Sequence, residues 1–133
     1  MTRVEVNSKI ERLYQDIGAE ASLCLGGAPS KFLIYAEVED GVISADVFYV
    51  SESIANIQFE FCPRSVRKLI LNLWLEWNGL PETSEWRTLS YLVDKGEFSI
   101  DLKYSDQVNK DEDISDRRAL VVKKYFGDAK VDY

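Results

Sequence analysis

The run KFLIYAEVEDGVISADVFYV, Lys31 to Val50, holds two apolar-rich β-type segments on either side of Glu39-Asp40-Gly41. Asp-Gly accepts the positive φ angles that a tight hairpin demands, so the run predicts two antiparallel strands joined by a short turn. A third strand is expected from Ile57 to Phe61, where Ile57, Phe59 and Phe61 alternate with Gln58 and Glu60. Such alternation gives one covered face and one wet face.

Helices flank this hairpin. From about residue 5 to 22, Val6, Ile10, Leu13, Tyr14 and Ile17 recur at helical spacing, with Glu5, Lys9, Glu11, Arg12 and Asp16 on the other side. Gly26, Gly27 and Pro29 then break the chain. After the third strand, Pro63 suits the first turn of a helix, where its missing N–H costs nothing. Val66, Leu69, Ile70, Leu73, Trp74 and Trp77 form one apolar stripe behind it, ended by Gly79 and Pro81. A second strand pair, Trp86 to Val93 and Glu97 to Ser105, turns at Asp94-Lys95-Gly96. In its second member Phe98, Ile100, Leu102 and Tyr104 alternate with Glu97, Ser99, Asp101 and Lys103. The acidic stretch from Ser105 to Asp116 reads as a solvated loop, and Asp113 or Ser115 is placed to cap a last helix ending at Gly127. The order is α-β-β-β-α-β-β-α. Pairing neighbours gives an α+β fold, a five-stranded antiparallel sheet with helices packed on one face, in a single domain over residues 1–133.

Composition narrows the function. The 133 residues carry 23 acidic against 16 basic side chains, a formal net charge of −7, and no histidine. A hydrophobic fraction of 46%, with three Trp, seven Tyr and six Phe, supports a packed core. The negative balance disfavours nucleic acid and favours a cationic partner. No apolar stretch reaches membrane-spanning length and the first residues hold no apolar signal core, so a cytoplasmic protein is expected.

Candidate chemistry is sparse. Asp111, Glu112, Asp113 and Asp116 lack the glycine and the terminal bidentate glutamate of a calcium loop, and read as solvated acids. Cys24 and Cys62 form no CxxC pair; a disulfide between them is arithmetically open, and buried free thiols are the commoner intracellular outcome. Neither has an imidazole to activate it. Trp74 and Trp77 read as core. Leu71 and Leu75 lie off the main stripe, either covered by the first helix or exposed as a partner surface. Arg117, Arg118, Lys123 and Lys124 give a small basic face explained by the helix dipole and surface pairing. No motif calls for a metal or cofactor.

The strand carboxylates are the more telling group. Glu37, Asp46, Glu60, Glu97 and Asp101 fall mostly at polar positions of alternation. With strands aligned they gather on or beside one open sheet face and make a field that speeds encounter with a cation. With Asp106, Asp111 and Glu112 of the acidic loop, they are the expected partner-binding residues.

Several segments carry a resemblance. The helix with Leu13-Tyr14-Gln15-Asp16-Ile17, the strand Ile34-Tyr35-Ala36-Glu37-Val38, Trp86, the run Gly96-Glu97-Phe98-Ser99-Ile100 and the ending Lys123-Lys124-Tyr125-Phe126-Gly127 occur in an order that resembles the YezG-type immunity (antitoxin) family of bacterial polymorphic toxin and contact-dependent inhibition systems. The chain departs from that pattern at Arg87, at Val121-Val122 and over Ser51 to Phe61, where fast-diverging contact residues are to be expected. The resemblance implies a non-enzymatic, cytoplasmic protein that binds and neutralises a cognate toxin domain, commonly a basic nuclease, by stoichiometric occlusion, as a monomer or homodimer. The alternatives are a small ligand-binding or enzymatic α+β domain with a pocket between sheet and helices, and an adaptor that homodimerises through a sheet edge or the wet sheet face.

Overall fold

The computed structural model describes residues 3–26, 29–39, 41–51, 54–79, 85–108 and 111–133, with side chains described from residue 8 on except at 51, 54 and 55. The expectations for Asp40, Gly27, Pro81 and the side chains of Glu5 and Val6 lie outside that set. The elements are α1 (Arg3–Cys24), β1 (Lys31–Glu39), β2 (Val42–Ser51), β3 (Ile54–Phe61), α2 (Arg64–Asn78), β4 (Trp86–Asp94), β5 (Glu97–Tyr104), α3 (Ile114–Phe126) and β6 (Val131–Asp132). Both expected hairpins form, β1 with β2 and β4 with β5, each antiparallel. Gly41 and Gly96 take positive φ at their turns, as does Lys95 between the latter strands.

The sheet is larger than expected. Six strands run in the order β5-β4-β1-β2-β3-β6. The last two residues of the order, Val131 and Asp132, pair parallel to Ile57 and Gln58, so the sheet is mixed rather than a five-stranded antiparallel one. Two residues carry no periodicity, and this strand had no sequence signal. It is held by the N–H of Ile57 donating to the Lys130 carbonyl at 2.8 Å and by Asn56 and Gln58 side chains donating to the Asp132 carboxylate.

The expectation that helices share one face holds for α1 and α2. Ile10, Ile17, Ala21, Val66, Ile70 and Leu73 pack on Phe32, Ile34, Ala36, Val47, Leu89 and Tyr91. Trp74 and Trp77 join this layer as expected, and the Trp74 indole N–H donates to the Trp86 carbonyl at 3.1 Å. The third helix lies over strand residues of the opposite parity: Val122 packs with Leu33, Phe48 and Ile57. Strand β1 is therefore buried from Phe32 to Val38 without alternation. A strand covered on both faces reads as a continuous apolar run, and FLIYA in β1 is one.

Local chemistry sets the helix ends. Pro63 stands at the N-cap of α2, one place before the first turn, and Gly79 closes that helix. Asp113, not Ser115, caps α3, accepting from the Asp116 N–H at 2.9 Å. The stretch before it is not all loop: Ser105–Gln107 forms a short 3₁₀ turn. No helix of the described residues is long and apolar enough to cross a membrane.

Candidate functional site

The N-terminal half of α3 is fastened to the sheet by two ion pairs. Arg117 grips Glu37 of β1 bidentately, Nε to Oε2 at 2.8 Å and Nη2 to Oε1 at 2.7 Å. Tyr35 donates its hydroxyl to the same carboxylate at 2.6 Å. One residue on, Arg118 donates from Nη1 to Asp46 of β2 at 2.8 Å. The Arg117 guanidinium also donates to the Glu112 carbonyl, which ties down the segment entering the helix. Charge-assisted, planar pairs of this kind are the strong ones. Their mark on the titrations is clear. The Glu37 hydrogen bond raises the Arg117 pKa against the burial that lowers it. Burial first, then the bond to Glu37, raises that of Tyr35.

These pairs change the standing of the expected binding residues. Register does bring Glu37, Asp46, Glu97 and Asp101 to one sheet face, and Asp101, Ser90, Tyr35 and Asp46 follow one another across β5, β4, β1 and β2. That face is not open at its centre, because α3 lies on it. Glu37 and Asp46 are buried and paired, so they hold the fold together rather than face a partner. Arg117 and Arg118 are correspondingly not a surface basic face; both reach inward. Glu60 points to the other face, where it accepts from the Tyr49 hydroxyl at 3.3 Å. Glu97, Asp106 and Asp111 are exposed, Asp101 and Glu112 half-buried. The eight carboxylates thus form no single patch.

What the structure gathers instead is aromatic. Arg118, anchored by Asp46, lies 5.7 Å from the ring centroid of Phe59 and 5.5 Å from that of Tyr133. Phe59 is 5.2 Å from Phe61, 5.1 Å from Tyr133 and 5.5 Å from Phe48. Phe61, opposite Asp46 in register, is 79% exposed, and Tyr133 is 73% exposed. Rings at 5–7 Å and a guanidinium within about 6 Å of their faces make a preorganised cluster. The alternation in β3 marked Phe59 and Phe61 as sharing a face. It gave no sign that α3 and β6 would leave the end of that face bare.

Two other features concern the remaining candidates. Leu75 is 55% exposed and borders a groove of about 420 Å³ with Leu13, Lys9 and Arg12 of α1, so the first helix does not cover it. Leu71 is half-buried, beside Ile43. Between sheet and α3 lies a cleft of about 150 Å³ lined by Tyr35, Thr88, Ser90, Lys103 and Arg117 among others. Cys24 is exposed and Cys62 buried, both as free thiols. Among the described residues no group of three His, Cys, Asp or Glu side chains is placed to hold a metal ion. In comparisons with known proteins, no family and no curated sequence matches the chain.

Proposed function

We propose that this chain is a cytoplasmic immunity protein that neutralises a cognate bacterial toxin domain, expected to be a basic nuclease, by stoichiometric occlusion, and that it catalyses nothing. The observation that carries the reading is the aromatic cluster around Arg118, in which Phe61 and Tyr133 are exposed and packed on the half-buried Phe59. Aromatic side chains and arginine dominate the hot spots of protein interfaces, and here the rings already pack on one another and on an Arg118 that Asp46 anchors. They fall at and beside the segment in which the family resemblance is weakest, as contact residues of a fast-diverging inhibitor should. The net charge of −7 supplies long-range attraction to a cationic domain, while the rings supply the short-range anchor. The acidic residues left on the surface, Glu60, Glu97, Asp106 and Asp111 among them, act through that field rather than as a contact patch.

The test is co-expression with the C-terminal toxin domain encoded by the adjacent gene. The chain is expected to protect the cells and to co-purify at a fixed ratio. Phe61→Ala is expected to weaken the complex by about 2 kcal/mol or more, roughly thirtyfold in Kd. Growth arrest despite a folded chain, or binding indifferent to Phe61, Tyr133 and Arg118 together, counts against the proposal.

The second reading is a small-ligand domain using the cleft beneath α3, favoured by the burial of the hydroxyl-bearing residues Thr88 and Ser90 there. Its volume of about 150 Å³ is below the roughly 300–1,000 Å³ of small-molecule sites. A thermal shift with any metabolite, abolished by Ser90→Leu, would favour it.

A further inference from the structure

We propose that the outer edge of β5 is a homodimer interface, at which a second copy of this chain adds its own β5 antiparallel about a two-fold axis through Ile100. This inference is independent of the toxin-binding reading, since it concerns the opposite end of the sheet from Phe61 and Tyr133.

The strand β5 is terminal in the order and pairs only with β4. An edge strand presents a row of unused N–H and C=O groups, which natural proteins blunt with charged side chains, prolines, bulges or a covering element. Of these β5 has only the charges of Glu97, Asp101 and Lys103, which a second copy can pair or hydrogen-bond. The other end of this sheet is covered instead, with β6 laid along β3. Along β5 there is no proline, and the pairing with β4 is regular from Glu97 to Lys103. The irregularity in that ladder falls on the β4 side, at Arg87. Eight extended residues are thus left with one side unpaired.

The sequence of this edge complements itself. With Ile100 opposite Ile100 of the second copy, Glu97 stands opposite Lys103, Phe98 opposite Leu102, and Ser99 opposite Asp101, each pair occurring twice by symmetry. Directly opposed side chains are the unit of sheet stabilisation, and every pair in this register is favourable: an opposite charge, an apolar contact, or a hydroxyl donating to a carboxylate. Neighbouring registers fail. A slip by one residue puts apolar side chains on the polar face. A slip by two in one direction sets Asp101 against Asp101, and in the other sets Glu97 against Asp101. Among the described residues Glu97 and Lys103 are exposed and belong to no ion pair within the chain.

Burial agrees. The apolar residues of β5 are incompletely covered by the α1/α2 layer: Phe98 is 46% exposed, stacked at 5.6 Å on Tyr91, and Ile100 and Leu102 are only half-buried. A second copy places its Leu102, Ile100 and Phe98 alongside and continues that layer across the axis. A self-complementary patch of this kind closes as an isologous dimer, in which both β5 edges are used up by one contact.

The test is light scattering and sedimentation equilibrium of the full chain between about 1 and 200 μM. The wild type is expected to reach twice its 15.2 kDa mass. Glu97→Lys alone and Lys103→Glu alone each place like charges opposite one another twice, and each is expected to raise the dimer Kd by about tenfold or more. Mixed in equal amounts, the two variants place opposite charges at all four positions and are expected to associate with near wild-type affinity. The exchange of both residues in one chain is expected to restore the homodimer, which also controls for folding. A wild-type monomer throughout, a dimer indifferent to both single variants, or a mixture that fails to associate overturns the proposal.

Discussion

The hydroxyl of Tyr91, on β4, stands 2.5 Å from the point at which a Cβ would project from Gly18 on α1. That hydroxyl donates to the Tyr14 carbonyl, so the bare helical position is what lets α1 lie directly on the sheet. In a solvent-facing helix, Gly→Ala gains about 1 kcal/mol. Here Gly18→Ala is expected to lose roughly 1–3 kcal/mol, because Tyr91 is buried and its ring has no room to retreat. In a Tyr91→Phe background the nearest remaining ring carbon lies at 3.4 Å, an ordinary contact. The same substitution should then become neutral or stabilising. Urea unfolding of the wild type, the two single variants and the double variant measures this, and equal effects in both backgrounds would refute it.

The Arg117–Glu37 pair should show the asymmetry of a mostly buried ion pair. Arg117→Ala leaves a carboxylate under α3 with only Tyr35 to satisfy it, and a loss of roughly 2–4 kcal/mol is expected, somewhat below that of a fully buried pair. Replacing both partners, Glu37→Leu with Arg117→Leu, should recover much of it, because no charge is left stranded. A double variant no more stable than Arg117→Ala would show that the pair contributes net stability in its own right.

Phe61 is exposed and therefore separable from folding. Phe61→Ala is expected to change stability by no more than about 0.5 kcal/mol. Its effect on partner binding is expected to be large. A marked drop in the unfolding midpoint would mean that the ring cluster is part of the core.

The two thiols should differ sharply. Cys24 is expected to react with a disulfide reagent in the native protein, and Cys62 only as fast as the fold opens. Burial pushes the Cys62 thiol from 9.0 up to about 12, and likewise the Tyr91 hydroxyl from 10.0 up to about 12. A native pKa above the unfolded one means that the unfolded chain loses its proton first as pH rises. These two groups therefore leave stability unchanged below pH 9 and lower it above, Cys62 from 9 and Tyr91 from 10 towards 12, by about 1.4 kcal/mol per pH unit each. Cys62→Ala should flatten the first part of that decline, near pH 9–10, in denaturant midpoints taken at stepped pH.

Much of the architecture was legible in the residues. The Gly41 and Gly96 turns, the alternation in β5, the α2 stripe with Pro63 before it and Gly79 after it, and the Asp113 cap all act within a few positions of chain. Their outcomes follow from local stereochemistry. The short strand β6 was not legible, since two residues have no period and its partner lies more than seventy positions earlier. Nor was the side taken by α3, although the unbroken FLIYA of β1 was a trace of it. Missing that cover led directly to placing Glu37 and Asp46 on an open surface.

The sequence by itself determined the three helices, the five longer strands and their tight turns, and that the chain carries an acidic field without histidine chemistry. Only the tertiary structure decided which carboxylates are spent and which residues are bare. Arg117 meets Glu37 across 80 positions of chain, and Arg118 meets Asp46 across 72. Pairing at that separation depends on which face of the sheet a helix covers. That choice is made by the packing of whole layers, which no run of neighbouring residues records.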